Sequence, residues 1–564
     1  MQKTLFYMIC LLMSYSFICC TSNDADNSPK PIDPDSVPKD NTKPEDNPKP
    51  VVEIKFQMLK DSIILKSGGT DTLDFTINLP KEEISFDKDN GNYKLELKFA
   101  QNDLQPKAYV VTAVEQIKDK IENSFRLYIE DLYIKNNYDD SIQIKITKKE
   151  DNAIYLSPKL RVRLTCDNTI KKYLDTNLPL VKIETVNKEE PKCDYVSPPK
   201  NYWGAGIKNA TKVPGSLCIL KNDDILYNSG NYEKDSCGIT IKIRGNTSAY
   251  SDKKPYKIKL QKKADLLKRN DDKKFKDKDW VLLKYNGLKT LVGFKVNELL
   301  GMQWTPSFQF VNVMINGDYR GLYMLCESVK RDKNCRLNVD ETGYIIEYDA
   351  YWWNEDVYFV SDFTNQMNYT FKYPDEKDIT SEKIDYIKQY VKALETAIIT
   401  GGAYENYMDV NSWANWLLVQ DILGNGDGGG ANMFITKFDN TDSSKLMMGN
   451  LWDFDSSYIM NTSWSVQHTA DVLYFPKLLA NKNKIFKDTY KSNWSKVSPY
   501  LLEEMNTFLN EFGHSETAKG LDASIVLDNK RWGSTDNTIS KEISISKSWF
   551  TVRMFFLDQF IPNL

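Results

Sequence analysis

The sequence predicts a multidomain protein in which an all-β module precedes a larger α+β domain. With 564 residues, the chain is long enough for two or three domains. Between residues 51 and 166, short runs alternate apolar and polar residues and are separated by Gly, Asn and Asp clusters. Beyond residue 200, strand-like runs give way to apolar residues at helical spacing, as expected where strands are followed by helices.

The composition narrows the chemistry that the chain can offer. Its 74 basic and 78 acidic residues give a net charge of -4, which provides no electrostatic case for a nucleic-acid partner. Two histidines, His468 and His514, argue against zinc sites built from several histidines and against Ser-His-Asp catalysis. Carboxylates and lysines therefore have to carry any catalytic role.

Residues 1–20 predict a lipoprotein signal peptide. Lys3 precedes an apolar run over residues 5–18, which is too short to span a bilayer and has the form of a secretory signal. The run ends in Cys19-Cys20 and resembles a bacterial lipoprotein signal, which implies a lipid on Cys20, with Cys19 as the second choice. We therefore expect an exported protein held by lipid to the bacterial outer membrane, on its periplasmic or cell-surface face. Ordinary cleavage with free secretion stays the alternative.

Two segments are expected to connect folded parts. Residues 21–50 consist mainly of Pro, Asp, Asn and Lys and predict a disordered linker, because almost nothing apolar is available to bury. Residues 167–200 are again rich in Pro and Lys and predict a second junction. Between them, the regularly spaced alternating runs of residues 51–166 predict an immunoglobulin-like β-sandwich, without clustered acids or a nucleophile.

Export would permit disulfides. The cysteines beyond the signal are Cys166, Cys193, Cys218, Cys237, Cys326 and Cys335. The close pairs Cys218–Cys237 and Cys326–Cys335 are candidate disulfides, and buried free thiols are the alternative. No CxxC spacing indicates zinc.

Residues 201–564 predict one large α+β domain. The strongest local signal is Asn316-Gly317-Asp318 between two apolar runs, which predicts a hairpin. The predicted strands are residues 239–244, 256–260, 310–315, 319–325 and 344–348. The predicted helices are residues 288–300, which end at Gly301, and residues 381–400, 411–423 and 548–560.

A second hairpin is predicted around residues 421–455. Its strands are residues 432–438 and 445–452, joined by a polar turn over residues 439–444. In an antiparallel pair, the start of one strand faces the end of the other. The acidic and amide side chains expected to meet there are Asp427, Asn432, Asp453 and Asp455. Several hard oxygen ligands at one hairpin end are suited to Mg²⁺.

The order of these residues is that of protein kinases, where an aspartate, an asparagine five residues later and an Asp-Phe pair beyond a hairpin form the site. Kinases also use a strand lysine paired with a helical glutamate. Lys257 and Lys259 share one face of a predicted strand, and either could reach a phosphate. Glu298 on the following helix is the expected partner, with Glu327 as a competitor. Two kinase features are missing: no GxGxxG loop precedes the lysine strand, and no His-Arg precedes Asp427.

A succession of motifs makes the resemblance specific. The motifs are RGNTS, KKPYKIKL, WVLLKYNG, NGDYRGLYMLCESV, NWLLVQDILGNGDGGGANMFITK and NLWDFD. From about residue 238 to the C-terminus, the chain resembles the CotH family, the atypical secretory kinases named for spore-coat protein H. The resemblance implies an atypical kinase-like fold and transfer of the γ-phosphoryl group of ATP to protein Ser or Thr, with Mg²⁺ or Mn²⁺.

The resemblance also implies roles for individual residues. Asp427 would be the catalytic aspartate, and Lys257 or Lys259 would bind the nucleotide phosphates. Asn432 and Asp453 would be metal ligands, and Asp455 is the second-choice ligand. The expected partner is a protein substrate in the cell envelope, besides the membrane reached through the lipid.

Two alternatives stay open. The family pattern places an acidic residue and then an arginine after LLKYN, whereas this chain has Gly287-Leu288-Lys289 and, further on, Gly293-Phe294-Lys295. That departure, together with the aromatic segment at residues 348–359, suggests a catalytically degenerate surface lipoprotein that binds a glycan or a protein. Metal-dependent phosphoester hydrolysis by the same acids is the third hypothesis.

Overall fold

A computed structural model gives the fold of most of the chain. It describes residues 53–66, 70–85, 91–100, 109–117, 123–131, 137–165, 168–200, 206–222, 224–269, 274–363, 368–428, 432–459, 474–533 and 537–564. The predicted signal peptide with Cys19 and Cys20, the predicted linker and Cys166 lie outside these residues.

The strands of the described residues follow one another along most of the chain. They are β1 (Phe56–Met58), β2 (Ser62–Lys66), β3 (Thr70–Ile77), β4 (Ile84–Ser85), β5 (Tyr93–Phe99), β6 (Tyr109–Gln116), β7 (Asn123–Asp131), β8 (Tyr138–Lys148), β9 (Ile154–Leu156), β10 (Leu160–Thr165), β11 (Leu180–Thr185), β12 (Cys193–Val196), β13 (Gly206–Ala210), β14 (Val213–Lys221), β15 (Asp224–Asn228), β16 (Ile239–Ile243), β17 (Tyr256–Ala264), β18 (Asp277–Lys284), β19 (Phe308–Ile315), β20 (Asp318–Glu327), β21 (Tyr344–Asp349), β22 (Tyr358–Phe359), β23 (Asn368–Tyr373), β24 (Met433–Lys437) and β25 (Leu446–Met448).

The helices lie mainly towards the C-terminus. They are α1 (Asn168–Leu174), α2 (Lys289–Leu299), α3 (Ser381–Thr400), α4 (Val410–Leu423), α5 (Phe475–Ala480), α6 (Ile485–Gly513), α7 (Glu516–Trp532) and α8 (Ile539–Phe560). None of the helices within the described ranges combines the length and the apolar character that crossing a membrane requires.

The N-terminal part consists of two sheets around one apolar core. One sheet has the order β1-β3-β7-β6, and the other has the order β2-β10-β8-β5-β4, with β9 added beside β8. Alternate residues of β3 and β8 are buried, and both strands contribute to the shared core. Phe75 and Phe125 stack there with ring centroids 5.3 Å apart. The strand content predicted from the alternating runs is confirmed, because a period of two places every second side chain on the core face.

The larger domain begins with a sheet that closes on itself. Its strand order is β11-β19-β20-β18-β17-β16-β14-β15, and β11 also pairs with β14. The pairing of β11 on both of its edges closes a ring of strands around a second apolar core, which includes Val181, Leu217 and Ile258.

The prediction of a junction over residues 167–200 is wrong for its central part. Leu180–Thr185 forms β11, which is the strand that closes the ring. Lys182 of this strand is buried, and its Nζ pairs with Glu184 Oε1 at 2.9 Å. Composition alone does not predict an ion pair of this kind in the fold, because Lys and Glu are usually surface residues.

The second layer of the domain is a five-stranded sheet with the order β22-β23-β21-β24-β25, packed with helices into the largest core. The predicted hairpin is present, with Ile435 opposite Met448 and Lys437 opposite Leu446. The Asn316-Gly317 hairpin is present too, and both turn residues have positive φ, as a type I′ turn requires.

The predicted helices form at nearly the predicted positions. Helix α3 has the predicted bounds, because Thr380 accepts the N–H of Lys383 at one end and Gly401 adopts the left-handed conformation at the other. Helix α4 begins one residue early, after the N-cap Asp409. Helix α8 begins at Ile539 rather than near residue 548, because Thr538 caps it there.

Neither candidate disulfide forms: none of the five cysteines that the structure describes is in a disulfide. Cys237 Sγ lies 2.8 Å from the carbonyl oxygen of Asn231, and Cys218 is paired across the sheet with Asn228. Cys326 is fully buried on β20, whereas Cys335 lies beside Asp332 and Arg336. The cysteines of each pair are near in sequence, but the strand pairings direct them to different neighbours.

Helix α2 packs against the segment after the second hairpin. The rings of Phe294 and Phe454 meet edge to face with centroids 6.0 Å apart. Gly293 faces the same Phe454 ring so closely that a Cβ atom there would overlap it. Glycine is therefore required at this position by the approach of the aromatic ring, and the contact fixes the chain between Asp453 and Asp455.

We expect Gly293→Ala to destabilise the protein by about 1–3 kcal/mol, because overpacking forces Phe454 or α2 to move. Denaturant unfolding monitored by tryptophan fluorescence measures the effect. Gly513→Ala is the matched control, since this helical glycine is exposed and its Cβ would meet the flexible end of the Ile543 side chain. Equal stability of the two variants would show that the Phe454 contact is not tight.

Candidate functional site

A cavity of about 650 Å³ lies between the closed sheet and the five-stranded sheet. Strands β16, β17 and β18 form one wall, and β21, β23, β24 and the segment after β25 form the other. Its volume is within the range of about 300–1,000 Å³ that is typical of small-ligand sites.

The second hairpin brings its four predicted site residues together. Asp427, Asn432, Asp453 and Asp455 all line the cavity. Asn432 Nδ2 donates to Asp453 Oδ2 at 3.2 Å, and Ser456 Oγ donates to Asp427 Oδ2 at 2.6 Å. The antiparallel pairing of β24 with β25 brings these residues together, although a whole hairpin lies between them in the sequence.

Two of these residues have an uncommon backbone conformation. Asn432 has φ 63° and Asp453 has φ 64°, both in the left-handed region. Asn and Asp adopt this region more readily than other residues with a Cβ atom. Sparsely populated backbone conformations cluster at functional sites, and here they occur just before β24 and after β25, at the same end of the hairpin.

The environment of Asp453 disfavours its negative charge. The side chain reaches cavity solvent, but protein surrounds it deeply on the other sides. Burial, and then the nearby Asp455 and Asp427 carboxylates, raise the pKa of Asp453 to about 7, while Arg244 acts in the opposite direction. A bound cation would relieve this repulsion.

The oxygen ligands of the site suit a cation that takes its remaining ligands from a bound phosphate and water. Within the described ranges, no three His, Cys, Asp or Glu side chains converge on one point closely enough to hold a metal ion. Mg²⁺ is commonly held by one or two carboxylates and completes its shell with phosphate oxygens and water. Asp453, Asp455 and the amide oxygen of Asn432 fit that partial set of oxygen ligands.

Cations line the cavity opposite these acids. The Arg244 guanidinium is half-buried, 5.7 Å from the centroid of the Trp452 ring, and Asp453 and Glu347 act on its charge. Lys257 Nζ lies 3.4 Å from Asp279 Oδ1, and Lys284 also lines the cavity. One wall therefore carries negative charge and the other carries positive charge.

Two residues predicted for the nucleotide lie elsewhere. Lys259 is exposed on β17, opposite Asp279, and is not among the residues that line the cavity. Glu298 is on the solvent face of α2, with a side chain 59% exposed and its Oε2 3.6 Å from Lys295 Nζ. Its predicted pairing with the strand lysine is wrong, because the helical turn directs it away from β17.

The competing glutamate is also outside the cavity. Glu327 is 1% exposed and pairs with Arg269 and Arg336. It accepts the N–H of Ser307 at 2.9 Å as well. These contacts make Glu327 part of a buried ion-pair network, and the carboxylate that pairs with Lys257 is instead Asp279.

The sequence reasoning missed an acidic pair on β21. Glu347 Oε1 accepts the backbone N–H of Asn432 at 3.0 Å, and its Oε2 pairs with Lys372 Nζ at 2.8 Å. Burial and the charge of Glu347 raise the pKa of Asp349 to about 7, against the effect of Lys372. The signal was the alternation in Tyr344–Asp349, which places both acids on one strand face.

The loop over residues 244–255, between β16 and β17, also contributes. Gly245, Asn246, Thr247 and Ser248 line the cavity, and Gly245 has φ 79°. Thr247 Oγ1 and Tyr351 Oη are 2.6 Å apart, which ties this loop to the opposite wall. Because the loop has a single glycine, its sequence did not indicate a phosphate-binding loop. In the structure, however, the loop covers the cavity.

Helix α4 positions the loop that carries Asp427. Asn425 is buried, and its Nδ2 donates to Gln420 Oε1 at 3.0 Å and to the carbonyl oxygen of Asp453 at 3.5 Å. Its Oδ1 accepts the N–H of Asp427 at 3.4 Å. One amide side chain thus links the Asp427 loop to the Asp453 segment, at the place where kinases have His-Arg.

One of three comparisons with known proteins identifies a family. A family model described as CotH kinase protein matches residues 241–555. A search of curated proteins found no match. A solved structure titled "Marsupial T cell receptor" aligns at 11% identity and a TM-score of 0.15, covering 37% of this chain and 94% of that one. A score this low carries no argument about the fold.

The buried Asp421 of α4 should make stability depend on pH. Burial raises the pKa of Asp421 to about 7, although Arg553 and the Tyr490 hydroxyl, 2.7 Å away, oppose the shift. The native state then binds a proton that the unfolded state has lost, so stability falls as pH rises from about 4 to 7. We expect Asp421→Asn to gain stability relative to wild type from pH 5 to pH 8, by at most about 2.7 kcal/mol.

Chemical denaturation at the two pH values measures this difference. Asp442→Asn, at an exposed turn position, is the control and should show the same difference from wild type at both. A difference for Asp421→Asn that does not change with pH would contradict the assignment.

Proposed function

Because the chain belongs to the CotH kinase protein family, whose model covers more than half of its length, we propose that it is a metal-dependent protein kinase. It would transfer the γ-phosphoryl group of ATP to Ser or Thr of envelope or surface proteins. The observation that carries the proposal is the meeting of Asp427, Asn432 and Asp453 in one cavity, opposite Arg244 and two lysines.

Asp453 and Asn432 are the proposed metal ligands, with Asp455 as a further carboxylate. A bound Mg²⁺ or Mn²⁺ would neutralise phosphate charge, which is the chief chemical requirement of phosphoryl transfer. Asn432 is held for this role through its backbone N–H, which Glu347 accepts at 3.0 Å. Asp453 is held by the packing of its neighbour Phe454 against α2.

Asp427 is the proposed proton acceptor for the substrate hydroxyl. Its carboxylate is exposed to the cavity and accepts the Ser456 hydroxyl at 2.6 Å. That contact shows that the carboxylate can receive a hydroxyl donor in its present orientation. A Ser or Thr hydroxyl of a protein substrate would make the same kind of hydrogen bond, which orients it and takes up its proton.

The remaining assignments concern the rest of the chain. We propose that residues 1–20 direct export and lipid attachment at Cys20, that residues 21–50 act as a spacer from the outer membrane, and that residues 51–166 form an immunoglobulin-like spacer or binding module. Strand β11 supports a kinase-like domain that begins before residue 201.

A degenerate binding protein is the second candidate. The observations that favour it are the outward position of Glu298 and an aromatic pair near the cavity, Trp352 and Tyr358, with ring centroids 4.7 Å apart. Tyr358 is 40% exposed, so the pair could stack against a sugar or a peptide.

We expect Asp427→Ala and Asp453→Ala to lower phosphoryl transfer by about 10²-fold or more, because each removes a group that acts on the reacting atoms. Labelled ATP, Mg²⁺ or Mn²⁺ and an envelope extract provide the assay. The control is Asp442→Ala, an aspartate in the turn at the other end of the same hairpin, which should keep wild-type labelling. Undiminished labelling in both site variants would rule out these roles.

Nucleotide binding separates the two candidate functions. For the kinase, ATP with metal at a hundredfold excess over Kd should stabilise the wild-type protein by about 2.7 kcal/mol. Thermal unfolding with ATP alone, metal alone and both together measures this effect. A shift with a glycan or peptide and none with any nucleotide would favour the binding protein, and release of inorganic phosphate without labelled protein would indicate hydrolysis.

A further inference from the structure

We infer that Lys284, and not Lys257 or Lys259, is the lysine that binds the nucleotide phosphates. The inference rests on the proposed function, because it assigns a residue within the same cavity. It changes the sequence-based expectation, in which Lys257 and Lys259 were the candidates.

Lys257 lines the cavity, but its ion-pair partner is not one of the acids of the hairpin. It is paired across the sheet with Val281, and its ammonium group faces Asp279. Asp279 also pairs with Lys330 at 2.9 Å, and its carbonyl oxygen accepts the Ser328 hydroxyl at 3.1 Å. Lys257 is therefore part of an ion-pair group beside the connection that follows β20, and a carboxylate already neutralises its charge.

Lys284 lies three residues further along β18 from Val281, which is about 10 Å at the rise of a strand. Its Nζ donates to the carbonyl oxygen of Ser248 at 3.2 Å and to Ser251 Oγ at 2.7 Å. Ser248 and Ser251 belong to the loop that covers the cavity, and both line it. Lys284 therefore lies beneath this loop.

The carboxylates whose charges act on Lys284 are those of the proposed metal site. Burial lowers the pKa of Lys284, and the charges of Asp455 and then Asp453 oppose that shift. Lys284 thus lines the same cavity as Asp453 and Asp455, close enough for the charges of both carboxylates to act on it.

This position fits an anionic group held between a cation and a metal. A lysine ammonium has three N–H donors, and two of them contact loop oxygens within the described part of the chain. Phosphate oxygens held by a metal at Asp453 and Asp455 would lie in the same cavity as this ammonium group. Strand β18 also directly precedes α2, which is the order of the lysine strand and the helix in protein kinases.

The test compares ATP with adenosine, which carries no phosphate. Binding of each to the full-length protein with Mg²⁺ is measured by calorimetry for wild type, Lys284→Ala, Lys257→Ala and Lys259→Ala. We expect Lys284→Ala to weaken ATP binding by about tenfold to hundredfold and to leave adenosine binding unchanged. Lys284→Arg should restore part of the ATP affinity, because it restores the charge.

Lys259→Ala is the matched control on β17 and should bind both ligands like wild type. If Lys257→Ala shows the ATP-specific loss and Lys284→Ala does not, the inference is wrong while the kinase proposal stands. If the wild-type protein itself binds no ATP, the proposed function fails before the lysines are compared. Thermal unfolding of each variant establishes that it is folded, and Lys284→Gln replaces Lys284→Ala if the latter is not.

Discussion

The site depends above all on the packing of Phe454 against α2. The ring occupies the space that a Cβ atom of Gly293 would need and meets Phe294 edge to face. Asp453 and Asp455 flank this ring in the chain, so the contact determines where both carboxylates stand. Asn425 then ties the Asp427 loop to the backbone of Asp453. The position of the candidate metal site therefore depends on core packing, because the apolar contact of Phe454 anchors the chain between Asp453 and Asp455.

Opposed charges across the cavity explain why the site is suited to a charged ligand. Burial together with Asp455 and Asp427 raises the pKa of Asp453 to about 7, and burial together with Glu347 does the same for Asp349 on β21. Arg244 supplies only part of the compensating charge. A metal with a polyphosphate would satisfy both walls at once, since the metal is attracted by the acids and the phosphates by Arg244 and Lys284.

Much of the local structure could be predicted from the sequence. The Asn316-Gly317 turn, the cap at Thr380 and the period-two runs act through neighbouring residues, so their outcome was predictable. The predictions that were wrong concern partners distant in sequence. The junction predicted over residues 167–200 contains β11, whose pairing with β14 and β19 closes the sheet and buries Lys182. Glu298 looked like a helical partner for a strand lysine but faces solvent, since its direction depends on how α2 packs.

By itself, the sequence determined the order of the site: Asp427, Asn432 and the Asp453-Phe454-Asp455 segment, separated by a hairpin whose antiparallel pairing had to bring them together. It could not decide which basic residues face them. Alternation along β17 gave Lys257 and Lys259 the same face, but not their distance from the acids. Only the tertiary structure decided this. The pairing of β17 with β18 sets Lys257 beside Asp279, whereas Lys284 contacts Ser248 and Ser251 of the cavity loop, where the charges of Asp455 and Asp453 act on it.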